Sequence, residues 1–140
     1  MAGETNLEAL IAGMRPVLRR DVHVFCTLPE GAGMPAGVDP VMIFREAEGM
    51  TLILREVEAR RAGLEAANFR CRMITLEIHS ALEAVGFLAA ITARLAAVGM
   101  GVNPVSAFFH DHLFVPEDRA EEAMGILISM ARSAGDLPPP

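Results

Sequence analysis

Apolar and polar residues alternate most cleanly from Cys71 to His79. Arg72, Ile74, Leu76 and Ile78 fall on one side, and Met73, Thr75, Glu77 and His79 on the other. A two-residue period with one apolar and one mixed side predicts a strand in a sheet covered on a single face. Beyond Gly86 the period becomes helical. Val85, Leu88, Thr92 and Leu95 make one stripe and Phe87, Ile91 and Val98 another, up to a stop at Gly99. So wide an apolar girth predicts a helix that packs against more than its own sheet. Val102–Phe109 and His112–Val115 read as a hairpin turning at His110-Asp111-His112. Pro116-Glu117-Asp118 then opens a last helix, with an acidic first turn suited to the helix dipole and an apolar stripe of Ala120, Ala123, Met124, Leu127 and Met130.

The first half is less regular. Thr5-x-x-Glu8 has the form of a capping box, with Leu7, Leu10, Ile11 and Met14 at helical spacing and Pro16 as the stop. Val22 to Leu28 predicts a strand with Val22, Val24, Cys26 and Leu28 on one face. Pro29 to Gly37, rich in Gly and Pro, is a loop. Asp39-Pro40 suits the start of a short helix through Glu46. After the break at Gly49, Met50–Leu54 reads as a strand, and Arg55–Ala62 as a helix ended by Gly63. Gly63–Asn68 is the expected seam, giving halves of residues 1–67 and 68–140.

Composition narrows the function classes. An apolar fraction of 52% with only 21% charged residues leaves little polar surface for a monomer, so a homo-oligomer is expected. The net charge is −6, all 12 basic residues are Arg, and Trp and Tyr are absent. Without a basic stripe or stacking platforms, nucleic acid is set aside as a partner. No apolar run approaches the ~20 residues that span a bilayer, and the MAGETNLEAL start lacks the form of a signal peptide. The expectation is a cytoplasmic chain that does not bind membranes. Cys26 and Cys71 sit in apolar runs, outside any CxxC pair, and read as buried free thiols.

A family resemblance rests on particular runs. Ser80, Leu82, Glu83, Ala84, Val85 and Gly86 stand before the helix, the GMGVNPVSAFF run follows it, and His110-Asp111-His112 marks the hairpin. With FREAEGMTLIL (Phe44–Leu54) in the first half, the chain resembles the ACT domain, and most of all small bacterial proteins with two tandem ACT-like halves. The resemblance implies an α+β, ferredoxin-like fold of βαββα units, antiparallel sheets with helices on one face, and a regulatory role through binding an amino acid. The chain shows no fourth strand after the last helix. Val22–Leu28 or a partner subunit would supply it.

The candidate site is the loop entering the helix. Such a junction presents unpaired backbone N–H groups at the positive end of the dipole, suited to a carboxylate. Gly86 lets a ligand approach the backbone closely. The expected ligand-binding set is Ser80, Ala81, Leu82, Glu83, Val85, Gly86, Asn103 and Ser106. Glu83 would receive an ammonium group, and Asn103 and Ser106 would add hydrogen bonds. A capping Ser80 with Gly86 serving only close packing is the competing reading.

His110 and His112, with His79 as a third ligand, invite a metal. Neighbouring positions in a turn point apart, however, so no metal site and no cofactor are expected. Arg45, Glu46 and Glu48 read as a solvated helix end. No nucleophile–base constellation accompanies these residues, so the expected class is a non-enzymatic small-molecule sensor. A structural protein–protein interaction module without ligand is the alternative, with an open sheet edge as its contact.

Overall fold

The computed structural model describes Gly3 and residues 5–135. Contacts divide the chain into two units: residues up to Arg19 together with those from Met73 onward, and Arg20–Arg72.

The first unit opens with helix α1 (Leu7–Gly13). Its cap is Asn6, whose side chain accepts the N–H of Ala9 at 2.9 Å, one residue beyond the Thr5 of the expected capping box. Strand β1 (Arg15–Leu28) starts seven residues earlier than Val22. The stretch Arg15–Asp21 carries four charged residues and is half-buried or exposed throughout, so it shows no alternation. This early part of β1 answers the question of the fourth strand: the order here is β1-β5-β7-β6, with β5 spanning Cys71–Glu77, β6 Asn103–Ser106 and β7 Asp111–Pro116. Arg15 anchors it, donating from Nη2 to Glu77 Oε1 at 2.6 Å.

Helix α3 (Phe87–Ala97) follows β5, and α4 (Ala120–Gly135) follows a 3-10 turn at Glu117–Arg119. Ile74 and Leu76 of β5 and Leu113 and Val115 of β7 are fully buried in one core with residues of α1, α3 and α4. The helices therefore lie on one face of this unit's sheet. Within α3 the buried positions are Phe87, Ile91 and Leu95, a narrower stripe than expected; Val85 and Val98 are exposed. Arg119 closes the C-terminal end of α3, donating to Val98 O (2.8 Å) and Gly99 O (3.1 Å).

The hairpin turns earlier than the sequence suggests. Ala107 N–H donates to His110 O at 3.0 Å, so the turn is Ala107–His110 and Asp111-His112 begin β7. Two successive Phe cannot both face a core from one strand, since neighbours alternate. Both are left at the tip, Phe108 70% and Phe109 64% exposed, with their rings 4.9 Å apart.

The second unit has strand order β2-β3-β1, and β4 also pairs with β1. Here β2 is Met42–Glu46, β3 Gly49–Arg55 and β4 Glu65–Ala66. Helix α2 (Glu56–Ala62) ends at Gly63, as expected. Val24, Cys26 and Leu28 of β1 are buried with Leu52, Leu54 and Ala59, the alternation read from the sequence. The expected helix from Asp39 to Glu46 is instead a strand, paired with β3 from Met42↔Ile53 to Glu46↔Gly49. The Val-Met-Ile-Phe run favours a pleated surface. Asp39 caps nothing; its backbone N–H donates to Glu58 Oε1 at 3.1 Å.

Candidate functional site

Where β5 ends, Ser80 N–H turns back onto Ile78 O and Ala84 N–H onto Ala81 O, at 2.9 and 3.0 Å. The folded loop delivers the chain to Gly86, the N-cap of α3, at φ +93°, a left-handed conformation that side-chain-bearing residues rarely hold. No side chain caps this helix. The first helical bond is Ala90 N–H to Gly86 O, so the N–H groups of Phe87, Leu88 and Ala89 have no helical acceptor.

These groups border a cavity of about 140 Å³. Of the expected site residues, Ser80, Ala81, Leu82, Gly86 and Ser106 line it together. Glu83 lines a neighbouring cleft of about 210 Å³ with His79, Ser80, Ala81, Leu82 and Phe108. Val85 is 84% exposed and Asn103 is exposed at the far end of β6, opposite Phe114; neither borders the 140 Å³ cavity. Asp111, which the sequence does not single out, also borders this cavity. It sits directly across from Ser106 in the β6–β7 ladder and lines the cavity while only 8% exposed. Its one signal in the sequence, an Asp between two His after an apolar run, reads equally well as a turn former.

His110 and His112 meet edge to face, ring centroids 6.5 Å apart, and each ring has a partner of its own. His110 Nδ1 lies 3.3 Å from Ile78 O, and His112 Nδ1 lies 3.0 Å from Thr75 Oγ1. Burial, then the neighbouring His110, push the His112 pKa below its usual value. His79 packs against Phe109 with the rings tilted by 50° and their centroids 6.2 Å apart. Among the described residues no group of three or more His, Cys, Asp or Glu is placed to hold a metal ion.

Cys26 and Cys71 are free and buried, and burial raises both pKa values, Cys71 to about 12. A thiol so far from ionising is no nucleophile at neutral pH. Cys71 Sγ instead donates to His23 O at 3.3 Å. No helix among the described residues is long and apolar enough to cross a membrane.

A family model described as ACT domain matches residues 2–72, and a second ACT-domain model matches residues 68–129. Among solved structures, the Vibrio cholerae protein VC0802, described as of unknown function and a possible transport protein, is 38% identical. The likeness has a TM-score of 0.78 and covers 89% of this chain and 95% of that one. The regulatory subunit of aspartate kinase from Thermus flavus matches with TM-score 0.59 and 14% identity, over 82% of this chain and 95% of its own. Its Thermus thermophilus counterpart, in ligand-free form, matches with TM-score 0.63 and 13% identity, over 86% and 97%. At those identities the likeness is one of fold. Among curated proteins none matches the chain.

Proposed function

The chain belongs to the ACT-domain family, and from that membership and the cavity at the start of α3 we propose that it is a non-enzymatic regulatory protein that senses a small molecule, an amino acid. The observation that carries this reading is the junction itself. An uncapped helix N-terminus, entered through Gly86 at positive φ, opens on a cavity shared with Ser80 and Ser106. Backbone N–H groups and the dipole favour a carboxylate there, and the two hydroxyls can donate or accept beside it. The fold shared with aspartate kinase regulatory subunits supports a regulatory role for such binding.

Regulation through this site works by differential affinity. A ligand that binds one arrangement of the loop and helix better than another shifts their equilibrium by that difference and no more. Exposed apolar side chains, Ile43 and Phe44 on β2 and Phe108 and Phe109 at the hairpin tip, support association with a second copy. The composition supports a cytoplasmic setting.

Thermal unfolding against each of the 20 amino acids tests the reading. Calorimetry or an added dye supplies the signal, because the chain has neither Trp nor Tyr. A ligand at 100 times its Kd adds about 2.7 kcal/mol. At least one amino acid is expected to raise the Tm by several degrees. A flat panel would overturn the sensor and leave the interaction module in its place.

A further inference from the structure

We infer that Asp111 is the ammonium-binding residue of the α3 cavity, and that the cavity's ligand is a small α-amino acid in its zwitterionic form. The inference rests on the amino-acid reading above and goes on to name the residue and the ligand's size.

Asp111 is 8% exposed, and among the described residues its carboxylate makes no hydrogen bond or ion pair. Other carboxylates of this unit are differently placed: Glu77 holds Arg15, and Glu122 holds Arg119. Among the described residues the one buried side-chain oxygen without a partner is Glu58 Oε2, so the Asp111 carboxylate keeps access to solvent and can meet a group entering the cavity. Asp111 lines the same 140 Å³ cavity as the first turn of α3, which brings N–H groups without helical acceptors and the positive end of a dipole.

The two features together select the ligand. A simple anion drawn to the helix would meet the Asp111 carboxylate, and a simple cation drawn to Asp111 would meet the helix's positive end. A molecule carrying both charges on neighbouring atoms satisfies both walls, with its carboxylate on the α3 N–H groups and its ammonium on Asp111 through charge-assisted hydrogen bonds. Ser106, paired with Asp111 across the ladder, and Ser80 stand beside that position. The volume sets the size. At about 140 Å³ the cavity is well below the ~300–1,000 Å³ of drug-sized sites, so it holds a backbone zwitterion with a short side chain.

The test is calorimetric titration of the whole protein with glycine, L-alanine, L-serine, L-lactate, L-phenylalanine and L-arginine, repeated on Asp111→Asn. Wild type is expected to bind at least one of the three small amino acids. L-Lactate, which keeps the carboxylate and replaces the ammonium by a hydroxyl, is expected to bind at least tenfold more weakly than L-alanine. Asp111→Asn is expected to weaken the small amino acid at least tenfold while leaving the ligand-free Tm unchanged, since among the described residues its carboxylate makes no hydrogen bond or ion pair within the protein; a merely structural Asp111 would give a lower Tm. Lactate bound as tightly as alanine, or Asp111→Asn binding like wild type, overturns the ammonium assignment while the amino-acid reading stands. Phenylalanine or arginine bound as tightly as alanine overturns the size assignment. Failure of every amino acid overturns the broader reading together with this one. The lactate comparison needs no variant, so it decides the matter even if Asp111→Asn does not fold.

Discussion

Two loops of this molecule start alike and end differently. After β5, residues 78–86 lead into helix α3, and the helix opens on a small polar cavity. After β1, Pro29–Val41 leads straight into strand β2, with no helix between. The second unit therefore has no row of free N–H groups at the matching point. Its larger cavity, about 550 Å³, lies over Phe25, Thr27, Met42, Phe44 and Thr51, with Glu46 and Glu65 among its walls. The buried acids differ too. Glu58, 4% exposed, uses Oε1 to hold the Asp39 N–H, with Arg55 Nη2 3.5 Å away. Its Oε2 is a buried oxygen without a partner, whereas Asp111, 8% exposed, makes no side-chain hydrogen bond among the described residues and acts on His112 through its charge. The lesson is that one strand–loop order can end in a strand in one unit and in an uncapped helix beside a polar cavity in the other, depending on whether a helix follows the loop.

The strongest way to break this comparison is to damage each core in turn. Ile91 in α3 and Leu54 in β3 are both fully buried, and either change to Ala is expected to cost about 2–5 kcal/mol in denaturant unfolding. Binding should separate them. Leu54→Ala, measured where it is still folded, is expected to keep the stabilisation by amino acid. Ile91→Ala, which undermines the helix that offers the N–H groups, is expected to lose most of it. Equal loss in both would dissolve the contrast between units.

Next in size is a pair of glycines. Gly86 and Gly49 both stand at positive φ, +93° and +152°. Gly86→Val is expected to cost about 1–3 kcal/mol of backbone strain and to abolish amino-acid binding. At Gly49 an added Cβ would come within 2.5 Å of Leu28 O, so Gly49→Ala is expected to lower the Tm and leave the ligand's Kd unchanged. Titration of the two variants with the amino acid that stabilises wild type decides it; retained binding by Gly86→Val would remove the junction from the site.

How much of this was legible in the sequence follows the same division. Strand β5, helix α3 and the stripe of α4 declared themselves because each buries one face, and burial of one face is what periodicity records. Strand β2 did not, since Asp39-Pro40 imitates a helix start and the pairing that overrules it comes from residues 49–53. The early part of β1 was hidden because its charged residues leave no apolar alternation. At the cavity, the loop residues Ser80, Ala81, Leu82 and Gly86, expected together from one local signal, a loop entering a helix, share its lining. Ser106 was placed by its position on the following strand. Asp111 was not readable, because its place depends on standing opposite Ser106 and sharing a cavity with the first turn of α3, which no local window contains. The sequence-based role of ammonium acceptor went to Glu83, the acid nearest the helix along the chain, and the structure places Glu83 in the adjacent cleft.

The smallest expected effect splits the pH profile between the units. His112, in the first unit, has a pKa depressed from 6.5 by burial, with a further push from His110. The unfolded chain therefore takes up this proton more readily than the folded one. Its contribution is fully present above pH 6.5 and is lost as pH falls through the lower folded value. Glu77, held down by Arg15, behaves in the same direction but at lower pH, below 4.5. The second unit answers at the other end. Cys71, raised from 9.0 to about 12, and Cys26, also raised, favour the folded state below pH 9.0, and that advantage is lost as pH climbs toward 12. Denaturant midpoints measured from pH 4 to 11 should fall at both ends. His112→Gln is expected to flatten the fall that begins below pH 6.5 and leave the alkaline side alone, and Cys71→Ser to do the reverse. If either variant flattened both limbs, the two ends would not belong to separate units, and the local origin assigned to each shift would be wrong.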